Sequence, residues 1–127
     1  PLADIAAGDG SAVSRLRTWL RTLAGTKRGL RREDPEIFAT YFRLVGETRG
    51  AVAAHEAALA AQLGDIIGDG VASGEFAVEN ARRCGWAVFR ATARFHHPLH
   101  AAEWDDPDIA AELDDVCSLL LDGLRGR

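Results

Sequence analysis

Apolar side chains recur at intervals of three and four residues along almost the whole chain, and this spacing restricts its fold more than any other feature. Such intervals place apolar groups on one face of an α-helix. β-branched residues are sparse, and no alternation of apolar and polar residues lasts long enough to predict a strand. We therefore predict an all-α fold. The length of 127 residues is typical of one domain, so residues 1–127 are interpreted as a single domain.

Local signals divide this pattern into five predicted helices, which run from about residues 11 to 30, 34 to 46, 50 to 72, 78 to 96 and 106 to 124. Ser11 is a candidate cap for the first helix. Asp34–Pro35 and Asp106–Pro107 each place a capping aspartate before a proline at the first helical position. Gly74 is a candidate terminating glycine. The third helix is apolar or alanine-rich on all sides, which predicts a position at the buried centre.

Composition and motifs exclude several classes of protein. The net charge of −4 gives no general reason to expect nucleic-acid binding by these residues. No apolar run approaches the ~18 residues of a membrane span. Two cysteines do not make a disulfide framework, which favours the cytoplasm. The motifs GxSxG, GxGxxG and the P-loop are all absent. We therefore expect no enzymatic activity, no cofactor and no membrane contact.

Several short strings occur in a distinctive order. They are DPEIF at 34–38, a histidine early in the third helix, IIGDGVASGEF at 66–76, ATARFHHP at 91–98 and LLLDGL at 119–124. A chain with these strings in this order resembles the C-terminal half of a TetR-family transcriptional repressor. The resemblance covers about residues 11 to 124.

The resemblance implies an effector-binding and dimerisation domain whose last two long helices pack against the same helices of a second copy, forming a four-helix bundle. It also implies a helix-turn-helix domain before residue 1 that binds operator DNA and is released when a small molecule binds. The chain contains no methionine, not even at residue 1, so we expect it to be a piece of a longer product. Its arginine and alanine bias favours a GC-rich bacterial source.

The predicted dimer interface combines this implication with the apolar stripes of the last two helices. Its residues are Val88, Ile109, Leu113, Val116, Leu120 and Leu124. The stripes are wider than one contact covers, which favours a homodimer. The alternative is that both stripes pack against the third helix within a monomer.

A ligand pocket is predicted where aromatic and histidine side chains converge between the first four helices. The candidate ligand-binding residues are Trp19, Tyr41, Phe42, His55, Trp86, Phe89 and His96. We expect His55 on the wall and His96 near the mouth. A few polar groups in an aromatic cavity describe a site for a small, mostly apolar effector. The alternative is a solid aromatic core.

A second hypothesis treats the histidines as metal ligands. His55 and His96, with Glu56 or His100 nearby, supply donors suited to zinc, nickel or iron. The protein would then be a helical metal sensor or a small metalloenzyme. No HExxH or CxxC motif accompanies them. The organic-ligand pocket is therefore favoured, and the metal site is kept as the alternative.

Overall fold

The computed structural model describes residues 1–47 and 49–126, and within them it is all-α, as the sequence predicts. Six α-helices follow one another: α1 (Leu2–Ala7), α2 (Ala12–Glu33), α3 (Pro35–Glu47), α4 (Arg49–Ser73), α5 (Ala81–Ala91) and α6 (Ile109–Arg125). Two 3₁₀ helices, Ala93–Phe95 and Pro98–Asp105, connect α5 to α6. Among the described residues no helix is both long enough and apolar enough to cross a membrane.

The predicted start of α2, start of α3 and end of α4 are confirmed by their hydrogen bonds and backbone angles. The Ser11 hydroxyl accepts a bond from the Ser14 backbone N–H at 3.1 Å. The Asp34 carboxylate accepts one from the Ile37 N–H at 3.2 Å. Gly74 follows α4 with φ of +85°, a conformation that glycine adopts at little cost.

Three features of the helices differ from the prediction. Helix α1 was not predicted, because six residues are too few to show a period; Leu2, Ile5 and Ala6 hold it against the core. Helix α5 is shorter than predicted at both ends. The residues directly before Ala81 are not helical, and after Ala91 the chain continues into a short 3₁₀ helix at Ala93–Phe95. Helix α6 begins at Ile109 rather than at 106.

The main core lies between α2, α4, α5 and α6, with α1 packed against it. Only the later part of α4 is buried, from Leu59 to Gly70, so the prediction that the whole helix is central is wrong. In its first half Ala53, Ala54 and Ala57 are exposed. The buried part is where α5 crosses α4, and the exposed part extends beyond that crossing toward α3.

Candidate ligand-binding cavity

A cavity of about 450 Å³ lies between the first half of α4, the facing parts of α2 and α3, and the end of α5. Most of its lining is apolar, with polar groups confined to a few side chains. The lining residues are Leu23, Lys27, Tyr41, Leu44, Ala51, Val52, His55, Glu56, Leu59, Phe89, His96, His97 and Pro98. The cavity therefore draws on the four helices between which the sequence predicted a pocket.

Four of the seven candidate ligand residues line this cavity: Tyr41, His55, Phe89 and His96. They come from three helices and from the turn that follows α5, and the fold brings them to one place. Their assignment as ligand contacts stays a prediction.

The other three candidates do not line the cavity. Trp19 is fully buried in the main core, where its indole N–H donates to the Gln62 side-chain oxygen at 2.9 Å. Phe42 is 44% exposed on α3. The Trp86 ring packs edge-on against Phe89, with ring centroids 6.2 Å apart, and thus lies behind the cavity wall. For Trp19, therefore, the alternative of a solid aromatic core is the one that applies.

The two histidines both line the cavity, but they differ in exposure. His55 is exposed, whereas His96 is only 4% exposed, so the expectation of His96 near the mouth is wrong. The reason is that the chain turns after Thr92, which carries His96 inward over the Phe89 ring at a centroid distance of 4.8 Å.

The hydrogen bonds and burial of His96 indicate its tautomer and its charge. Its Nε2 lies 3.1 Å from the Thr92 hydroxyl, and that hydroxyl donates to the Val88 carbonyl oxygen at 2.9 Å. A ring with its proton on Nε2 donates to Thr92 and leaves the hydroxyl bond to Val88 in place, so we assign the proton to Nε2 and the acceptor role to Nδ1. Burial lowers the pKa of His96 to about 4. At neutral pH the ring is therefore uncharged.

Charged groups lie on two parts of the cavity wall. The Lys27 ammonium donates to the Tyr41 hydroxyl at 2.8 Å and lies 4.1 Å from the centre of that ring. A Glu56 carboxylate oxygen lies 4.0 Å from Nε2 of His97. Burial lowers the pKa of His97, and the negative charge of Glu56 partly opposes that effect.

Sequence reasoning missed Lys27 and His97 as lining residues. Lys27 was not among the candidate residues, although it lies four residues after Leu23 and thus on the same face. A helical projection of the sequence places His97 on the side of Arg90 and Arg94. The turn at Pro98 redirects it, and a helical projection cannot contain that turn.

The structure does not bring the proposed metal ligands together. Throughout 1–47 and 49–126, no three histidine, cysteine, aspartate or glutamate side chains are grouped so that they could hold a metal ion. His100 instead lies 2.8 Å from a Glu103 carboxylate oxygen at the surface. His55, Glu56 and His96 line the same cavity, but they do not form such a group in the part of the chain that the structure describes.

The six predicted interface residues divide into two groups. Val88, Ile109, Leu113 and Leu124 are buried in the chain's own core, and in this position they are not available to a second copy. Val116 and Leu120 are half-buried at its edge. The apolar side chain that α6 exposes most is Leu119, which is 73% exposed and was not predicted.

A comparison with protein families places most of the chain in a known family. The family model described as "Tetracyclin repressor-like, C-terminal domain" matches residues 12–117, most of the chain. Neither the curated proteins nor the solved structures contain a match to the chain.

Proposed function

Because the chain belongs to the tetracyclin repressor-like C-terminal domain family, we propose that residues 1–127 form the ligand-binding and dimerisation domain of a TetR-like transcriptional repressor. The role is regulatory rather than enzymatic. A helix-turn-helix domain outside these residues contacts operator DNA in the cytoplasm, and effector binding releases the DNA. The observation that carries the proposal is the 450 Å³ cavity with neutral His96 in its wall.

The cavity has the size and chemistry of a small-molecule site. Its volume falls within the ~300–1,000 Å³ usual for ligand pockets, and its lining is mainly apolar with a few placed polar groups. Nδ1 of His96 accepts a hydrogen bond from a hydroxyl or N–H of the ligand and thereby orients it. Helices α2, α3, α4 and α5 all contribute to the wall, so a bound molecule acts on four elements at once.

We expect Ala51→Phe to block this cavity. Ala51 lines it from the exposed half of α4, so a phenyl group there removes volume while leaving the core unchanged. Calorimetric titration with octan-1-ol, a neutral apolar probe, should show binding to the unmodified chain and at least about tenfold weaker binding to the variant.

Ala57→Phe is the matched control. Ala57 is also exposed on α4 but does not line the cavity, so this variant should bind the probe as the unmodified chain does. Equal loss in both variants, or no binding by the unmodified chain, would contradict the proposed site.

The dimer is proposed to form through the outer faces of α5 and α6. Leu119 supplies an exposed apolar contact on α6, beside the exposed carboxylates of Asp115 and Asp122. The outer face of α5 carries the exposed arginines Arg83 and Arg90. Opposite charges on the two helices favour α5 of one copy against α6 of the other.

Leu119→Glu should convert a dimer into a monomer, because it places a carboxylate in the apolar centre of this contact. Light scattering measures the change in mass. Leu99→Glu is the control, since Leu99 is equally exposed, at 72% against 73%, and belongs to the second 3₁₀ helix rather than to α5 or α6. The proposal fails if the unmodified chain is monomeric at tens of micromolar, as a rough working concentration.

A further inference from the structure

Lys27 gives the cavity a positive charge that has no carboxylate partner. It is the only lysine or arginine among the lining side chains of the described chain. Within 4.0 Å of its ammonium no carboxylate of those residues forms an ion pair. The lining carboxylate, Glu56, faces His97 instead. The half-buried ammonium therefore faces an apolar cavity in which no carboxylate of the described residues balances its charge.

Lys27 and Tyr41 together offer two hydrogen-bond donors at this point. The ammonium donates to the phenol oxygen at 2.8 Å, so that oxygen acts as the acceptor in their contact. The phenol hydrogen remains free, and the ammonium has two further hydrogens. Two adjacent donors, one of them charged, suit the two oxygens of a carboxylate, because hydrogen bonds between ionised groups are stronger than neutral ones.

The rest of the lining suits an apolar body. Leu23, Leu44, Val52, Leu59 and Phe89 surround the space beyond the Lys27–Tyr41 pair. Burial lowers the pKa of both His96 and His97, and the positive charge of Lys27 adds to this effect. The field of the ammonium therefore reaches the histidine side of the cavity.

We propose that the effector is an apolar monocarboxylate whose carboxylate is bound by Lys27 and Tyr41 and whose apolar body fills the space along α4 and Phe89. This inference rests on the proposed function, since it names the chemical class of ligand for the same cavity. It assigns Lys27 as a specificity-determining residue.

The test compares two probes of equal chain length, octanoate and octan-1-ol, by calorimetric titration. The unmodified chain should bind octanoate about tenfold more tightly than the alcohol, the size expected for one charge-assisted contact. Lys27→Met keeps the apolar stem and removes the charge. It should abolish the preference while leaving binding of the alcohol unchanged.

Two further variants make the result specific. Lys27→Arg should restore the preference for octanoate, because it restores a charged donor. Arg32→Gln removes the same unit of net charge from an exposed position of α2 outside the cavity lining and should leave the preference intact.

The outcomes separate this inference from the proposed function. Binding of octan-1-ol with no preference for octanoate overturns the carboxylate assignment and leaves the cavity as a ligand site. A preference that persists in Lys27→Met also overturns it. Absence of binding by both probes contradicts the proposed function itself, and the inference fails with it.

Discussion

Gly85→Val is expected to lower the free energy of unfolding by about 3 kcal/mol, the upper range for forcing extra atoms into a packed contact. At Gly85 helix α5 touches the backbone of α4. A Cβ atom there would lie 2.7 Å from the Ala60 carbonyl oxygen, 2.7 Å from the Gly64 nitrogen and 2.9 Å from the Gly64 Cα. Backbone cannot move aside as a flexible side chain does, so the helices must separate. Chemical denaturation measures the loss.

Gly29→Val is the control for this variant. Gly29 is also helical, but a Cβ there meets no atom within 4 Å. Valine has a slightly higher helix propensity than glycine, so this change should leave stability unchanged or raise it by a few tenths of a kcal/mol. Equal stability of the two variants would show that α4 and α5 do not make this close contact.

Acid should destabilise the protein through His96. Burial holds the pKa of the folded ring at about 4 against an ordinary value of 6.5. Between these values the unfolded chain binds more protons than the folded chain, so the free energy of unfolding rises with pH. The stabilisation is complete above pH 6.5 and is lost as the pH falls to about 4. The shift corresponds to about 3 kcal/mol.

Comparison with His96→Phe isolates this effect. Phenylalanine keeps an aromatic ring beside Phe89 but does not titrate, so most of the loss between pH 6.5 and 4 should disappear. The pH dependence of the free energy of unfolding that remains comes from groups present in both proteins. Burial lowers the pKa of His97 in the same direction. The backbone N–H of Ala12 lowers the pKa of Glu75, which acts at more acid pH. Identical pH profiles for the two proteins would show that His96 is not buried in neutral form.

Much of the fold follows from local signals, because caps and apolar stripes act over a few residues. Asp34 and Gly74 bound their helices where the sequence predicts. The C-terminal end of α5 does not follow, since it depends on tertiary packing: after Thr92 the chain turns and Phe95 and His96 are buried in the core. A helical projection carries the predicted fourth helix straight through this turn.

The cavity was only partly predictable for a related reason. Periodicity indicates which side chains face inward, but it does not indicate whether the space between them is filled. Trp19 and Phe89 lie on similar apolar faces, yet one is enclosed in the core and the other borders the cavity. Lys27 escaped notice because its stem runs along apolar surface while its charged end reaches Tyr41. Such a position is indistinguishable by sequence from a solvated flank.

The histidine ring signals in a nuclear magnetic resonance titration with octan-1-ol test the central claim, an apolar effector site in this cavity, most directly. His55, His96 and His97 line the cavity, whereas His100 does not and is bonded to Glu103. The account predicts that the Cε1–H signals of the three lining residues shift together as the probe saturates the site, while that of His100 stays in place. An equal shift at His100, or an unchanged His96 signal at saturation, would contradict it.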